Sequence, residues 1–196
     1  MALALKNEKD PETGKRPEWG YTSHSLSGNE RNRLFMQHSD GNFADVSLIS
    51  GADDIADGRS FSVFDFDGDG WTDIAMMGLN VPRFKLYKNQ MGNLYPDRKA
   101  FRFRLVGGNT KSEPSIELSN RDAVGARVTL AFKSGKSRLV HKQAGEGFAS
   151  QNSEVISIGI PQGDSIESLT VRWPAGKETF VDEIDLNDIQ IIKEVN

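Results

Sequence analysis

From Arg33 onward, short aromatic or apolar runs suited to strands alternate with clusters of turn residues. The first series comprises Leu34-Phe35-Met36, Phe43-Ala44-Asp45-Val46, Phe61 to Phe64, Ile74 to Met77 and Phe84-Lys85-Leu86-Tyr87. Between them lie Ser39-Asp40-Gly41-Asn42 and the Asp53 to Gly58 stretch, whose residues favour turns. A period of two marks strands with one face buried and one wet. After the turn-rich segment Gln90 to Lys99 a second series is predicted at Phe101 to Val106, Ala126 to Phe132, Ser137 to Lys142, Val155 to Ile160, Ser168 to Trp173, Thr179 to Val181 and Ile189 to Lys193. Alternation is clearest in Ala126-Arg127-Val128-Thr129-Leu130 and Ser168-Leu169-Thr170-Val171-Arg172-Trp173. Short strands separated by Gly, Asn and Asp turns predict a sandwich for this second part and an all-β chain overall.

Residues 1–30 break the pattern. They are polar and charged, are interrupted by Pro11, Gly14, Pro17, Gly20 and Gly28, and hold too little apolar surface to offset the cost of ordering, so they read as an extended polar arm. The 196 residues suffice for one large or two small domains. Lys and Arg total 24 against 28 Asp and Glu, a net charge of −4, and this argues against nucleic acid, which calls for a basic stripe. With no cysteine, a disulfide scaffold and thiol or cysteine–zinc chemistry are excluded, while the compartment stays open. No apolar run reaches the ~18 to 20 residues of a membrane span. The start, Met1-Ala2-Leu3-Ala4-Leu5, runs straight into Lys6, Glu8, Lys9 and Asp10, so no signal peptide is visible; the expectation is a cytoplasmic chain or one whose leader has been removed.

The densest chemistry lies in Asp65-Phe66-Asp67-Gly68-Asp69-Gly70-Trp71-Thr72-Asp73. Four carboxylates on one tight loop call for a cation, and Ca²⁺, which takes about six to eight oxygens, is the expected ligand. Asp65, Asp67 and Asp69 alternate and so direct their carboxylates inward; Gly68 and Gly70 permit the sharp backbone; Trp71 would add its carbonyl and Asp73 a closing carboxylate. An EF-hand begins the same way but needs a Glu at loop position twelve, where this chain has Met76, and helices on both sides, where it has strand-like flanks. A loop joining two strands is therefore predicted. The alternative is an Asx-rich turn without metal.

Other candidates are weaker. Asp53, Asp54 and Asp57 are expected as solvated turn residues, and Asp182, Glu183, Asp185 and Asp188 as a charged surface loop. His24, His38 and His141 lack zinc or triad spacing, and Ser150 and Ser153 lack a nucleophile elbow. Glu146 could serve as a glycosidase acid or base, but no partner carboxylate is apparent. The segment Gln143 to Ser153 gathers glycines, an aromatic and hydrogen-bonding side chains, which makes Glu146, Phe148 and Gln151 candidates for a polar ligand such as a sugar. A structural loop whose Glu and Gln satisfy buried backbone groups is the competing reading.

These elements carry a family resemblance. "NRLFMQHSDGNFADVS", "ADGRSFSVFDFDGDGWTDIAMMG" and "FKLYKNQ" resemble FG-GAP or VCBS repeat sequence over 31–92, and "NRDAVGARV", "QAGEGFASQNS" and "VRWPAGK" resemble the ASPIC and UnbV domain over 100–196. In this order they are similar to the C-terminal part of the cartilage acidic protein family. The resemblance implies a propeller-blade-like antiparallel sheet followed by a β-sandwich-like domain, a secreted or cell-surface protein, and calcium ligands at Asp65, Asp67, Asp69, Trp71 and Asp73. A propeller needs several blades and this sequence holds about one, so the blade's sheet (Phe61, Val63, Ile74, Met76) is expected to be covered by the second domain or by another copy. The functional expectation is a non-enzymatic, calcium-binding extracellular module for binding or adhesion, with a protein or carbohydrate ligand. A carbohydrate-active enzyme and a self-assembling structural protein are the alternatives.

Overall fold

The computed structural model describes residues 30–195 apart from 39, 56, 80 and 81, so the arm at 1–30 lies, but for Glu30, outside the described residues. The fold is all-β: the described residues form twelve strands and two single-turn helices, arranged in four sheets of which none closes into a barrel. The chain divides into two compact units, one made of residues up to Ser60 with Met76–Lys85, the other of Phe61–Ala75 with Leu86–Asn196.

In the first unit β1 (Phe35–Gln37) pairs antiparallel with β2 (Phe43–Asp45), turning through Gly41 at φ 87°. Helix α1 (Ser47–Ser50) follows and ends on Gly51, whose φ of 76° is the left-handed stop that glycine adopts without a Cβ penalty. Ser47 is buried: its N–H donates to Asp45 Oδ1 (3.0 Å), and its Oγ accepts from Leu34 N–H (2.8 Å). Asp57 is fully buried rather than solvated, and Asp53 and Asp54 are half-buried, with Asp53 paired to Arg31 at 2.9 Å and Asp54 to Lys85. Turn composition alone does not reveal that this stretch folds inward.

Strands β3 (Gly58–Phe64), β4 (Asp73–Gly78) and β5 (Phe84–Tyr87) form one sheet in chain order. The β3–β4 connection is the acidic loop itself, as its strand-like flanks predicted. Covering of this sheet is uneven: Met76 is buried and Val63 and Ile74 half-buried, but Phe61 is 57% exposed.

In the second unit α2 (Met91–Leu94) leads to β6 (Ala100–Val106). Then come β7 (Arg127–Phe132), β8 (Ser137–His141), β9 (Ile156–Gly159), β10 (Ile166–Arg172), β11 (Glu178–Val181) and β12 (Gln190–Lys193). Two sheets result, ordered β11-β10-β7-β8 and β12-β6-β9. The inward positions of both enter one core: Phe101, Phe103 and Leu105 from β6, Val128, Leu130 and Phe132 from β7, Leu169 and Val171 from β10, with Ile158, Trp173 and Ile192. This is the predicted sandwich, built by period-two alternation. β12 runs parallel to β6, whereas β9 is antiparallel to it. Glu194, just past β12, accepts from Gly108 N–H (2.8 Å), Ser119 N–H (2.7 Å) and Ser119 Oγ–H (2.9 Å), so the parallel strand's end is fixed by a buried carboxylate with its donors supplied.

Candidate metal centre

Folding of the acidic loop is driven by its own side chains. Asp65 Oδ1 accepts from Gly68 N–H (2.8 Å) and its Oδ2 from Gly70 N–H (2.9 Å), which wraps the chain around one carboxylate. The wrap requires Gly68 at φ 77° and Gly70 at φ 91°, conformations that other residues adopt only with strain. Asp69 Oδ1 accepts from Trp71 N–H at 2.9 Å, an Asx turn that carries the chain toward β4. Asp73, 1% exposed, closes the loop: Phe66 N–H donates to Oδ2 (3.0 Å) and Asn89 N–H to Oδ1 (2.6 Å).

The result brings three carboxylates together. One oxygen each from Asp65, Asp67 and Asp73 lies within 4.8 Å of the others. Two oxygens bound to the same Ca²⁺ at about 2.3–2.6 Å sit at most roughly 4.6–5.2 Å apart, so the trio spans a distance that one calcium bridges. Backbone donors do not spoil this, because an ionised carboxylate offers about four lone-pair sites. Asp69 lies outside the trio, and Trp71, half-buried, supplies its N–H to Asp69.

Two cations that sequence spacing could not connect to the loop stand beside it. Lys88 Nζ is bonded to Asp67 and lies 3.7 Å from Asp69 Oδ2, and Arg102 is 3.9 Å from Asp65 Oδ2. The Lys88 ammonium holds the Asp67 carboxyl below the usual carboxylate range, and Asp67 in turn raises Lys88. The loop is also joined to the sandwich strands: Ser157 Oγ–H on β9 donates to Gly70 carbonyl at 3.2 Å.

The Gln143 to Ser153 segment presents a different picture. Glu146 and Gln151 are exposed, and Phe148 is 77% exposed. Gln151 Oε1 accepts from Gly145 N–H (2.6 Å), a backbone clasp across the turn, and no hydrogen bond joins it to Glu146 among the described residues. Gly147 bridges to Ser150, and Ala149 sits at φ 53°, a left-handed conformation for a non-glycine residue. The far end is fixed to β3, with Val63 N–H donating to Asn152 Oδ1 (2.8 Å) and Ser153 N–H to Val63 carbonyl (2.9 Å). A cleft of about 280 Å³ opens beside it, lined among others by His141, Glu146, Asn152 and Ser157.

The remaining motifs make turns. Asn120 accepts from Val124 N–H and donates to Val124 carbonyl, both at 2.8 Å, closing the loop that enters β7. Trp173 pairs with Lys177 around Gly176 at φ 95°, and its Nε1–H donates to Thr179 Oγ1 at 2.8 Å. The acids Asp182, Glu183, Asp185 and Asp188 are exposed as expected, and so are His38 and His141; His24 lies outside the described residues.

No helix among the described residues is long and apolar enough to cross a membrane. No curated protein matches the chain. Residues 23–76 match the FG-GAP-like repeat family and residues 117–196 the ASPIC and UnbV family. The chain therefore carries an FG-GAP-like repeat followed by an ASPIC and UnbV domain, in the order and with the all-β architecture that its strands and loops display.

Proposed function

We propose that this chain is a calcium-stabilised, non-enzymatic binding or adhesion module of an extracellular protein. The observation that carries the reading is the convergence of Asp65, Asp67 and Asp73 oxygens within 4.8 Å on a loop whose closing acid is buried. FG-GAP-like repeats commonly bind calcium, and both matched domains are consistent with an extracellular adhesion-type module. When bound, calcium would replace mutual repulsion among these carboxylates by shared coordination, and so hold the β3–β4 connection rigid. Asp69 and the Trp71 carbonyl are the proposed additional donors.

The recognition element is the Gln143–Ser153 loop. Its tip shows Phe148 to solvent with Glu146 and Gln151 exposed nearby, while its end is hydrogen-bonded to β3. A fixed loop with an exposed aromatic and polar groups suits a polar ligand, carbohydrate or protein. Calcium-loaded protein on a glycan array, paired with a panel of glycosidase substrates, tests this. Binding without turnover, weakened by Phe148→Ala, is expected; turnover lost on Glu146→Gln would establish the enzyme instead.

A further inference from the structure

This inference rests on the calcium reading of the Asp65 loop and concerns what neutralises that loop when calcium is absent. Asp65, Asp67, Asp69 and Asp73 place four negative charges on nine residues, and Lys88 and Arg102 are the cations that reach them among the described residues. The two are held differently. Arg102 is engaged elsewhere: its guanidinium donates to Asn187 carbonyl at 3.2 Å, and its stem lies against Gly70, where an added Cβ would meet Nε at 3.6 Å. Lys88 is bonded through Nζ to Asp67, with Asp69 Oδ2 at 3.7 Å, and its side chain is 36% exposed.

The backbone beside Lys88 is nonetheless fixed to the loop. Asn89 N–H donates to the buried Asp73 at 2.6 Å, Asn89 Nδ2–H donates to Thr72 carbonyl at 3.1 Å, and Asn89 Oδ1 accepts from Met91 N–H at 3.0 Å. The ammonium is therefore delivered to the acids on a short tether whose base is hydrogen-bonded to the loop, while its head is retained by the charges of Asp67 and Asp69 and has solvent to move into. A cation so tethered competes intramolecularly, at high effective concentration, with any cation from solution. Calcium entering the trio repels the ammonium at these distances and competes with it for the Asp67 carboxylate.

We propose that Lys88 is a built-in counter-cation that neutralises the loop in the calcium-free protein and yields to calcium, so that it sets the loop's calcium affinity. It stabilises the metal-free fold at the expense of metal binding. Removing its charge must then move two quantities in opposite directions. The metal-free protein becomes less stable, and calcium binds more tightly.

The test is titration calorimetry of calcium chloride into the EDTA-stripped, desalted full chain, with parallel melts in EDTA, for wild type, Lys88→Met and Lys88→Arg. Lys88→Met is expected to bind calcium more than threefold tighter than wild type and to melt lower in EDTA. Lys88→Arg, which keeps the charge, is expected to bind within threefold of wild type. A Lys88→Met affinity within threefold of wild type, or weaker, overturns the proposal while leaving the calcium site intact, and so does a variant that melts at or above wild type in EDTA. Absence of binding by both wild type and Lys88→Met defeats the calcium reading and this proposal with it.

Discussion

Asp73→Ala separates the structural role of the loop's closing acid from any role in holding metal, provided it is measured in EDTA. The carboxylate is 1% exposed and each of its oxygens accepts a backbone N–H, from Phe66 at 3.0 Å and from Asn89 at 2.6 Å. Alanine leaves both donors facing a space without an acceptor. An orphaned buried donor costs about 1–3 kcal/mol, and because both of these hydrogen bonds are part-buried the low end applies to each, a sum of roughly 2 kcal/mol. For a chain of this size a kilocalorie shifts the melting temperature by about 2–4 °C, which sets the expected loss at no less than ~4 °C. Asp73→Asn keeps one acceptor oxygen and is expected between wild type and alanine. Asp185→Ala, at an exposed position, serves as the control and is expected within about 0.5 kcal/mol of wild type. The assay is thermal unfolding followed by far-ultraviolet circular dichroism and tryptophan fluorescence. An Asp73→Ala protein that melts with wild type in EDTA would refute the reasoning, since the loop would then keep its shape without the acid that closes it.

Two further outcomes follow from the sandwich domain. Glu194→Ala removes the acceptor for two backbone N–H groups, of Gly108 and Ser119, and is expected to destabilise by about 2–5 kcal/mol in urea unfolding, with Glu194→Gln intermediate; a loss under ~1 kcal/mol would contradict the assignment. Asp164 has its carboxyl held below the usual carboxylate range by the Ser134 hydroxyl, with backbone donors at Ser165 and Ser134. A folded value depressed below the unfolded one contributes stability that is present above the unfolded value and lost as pH falls through the folded one. The stability gap between wild type and Asp164→Asn is therefore expected to be widest near neutral pH and to close on acidification below the usual carboxylate range; a gap independent of pH would show that the depression is absent.

The strands and the acidic loop were legible in the sequence because their signals are local. Alternation in β7 and β10 buries Val128, Leu130, Leu169 and Val171, as period two requires. Glycines at 68 and 70 predicted the positive φ angles that wrap Asp65. Helices α1 and α2, each a single turn, are too short to display a 3.6-residue period, and the parallel placement of β12 beside β6 is a matter of topology that no pattern within β12 encodes. Lys88 and Arg102 were illegible for a related reason: they reach the loop from 21 residues beyond Asp67 and from a different strand, and nothing in their own neighbourhoods marks them. Asp57 looked like a solvated turn because its composition is that of one; burial is decided by the chain around it. The Gln143–Ser153 loop was visible as unusual, but only geometry shows that Gln151 clasps Gly145 while Glu146 and Phe148 stay exposed.

The central claim is that the Asp65 loop binds calcium in the folded protein, and the most direct measurement is the melting temperature in EDTA against that in millimolar calcium, backed by calorimetric titration. A ligand that binds only the native state adds about 2.7 kcal/mol at a hundredfold excess over Kd, a rise of roughly 5–11 °C for a chain of this size. The account expects such a rise, one calcium per chain, and loss of most of the rise in Asp67→Ala. Superimposable melts with and without calcium, and no heat on titration, would contradict it.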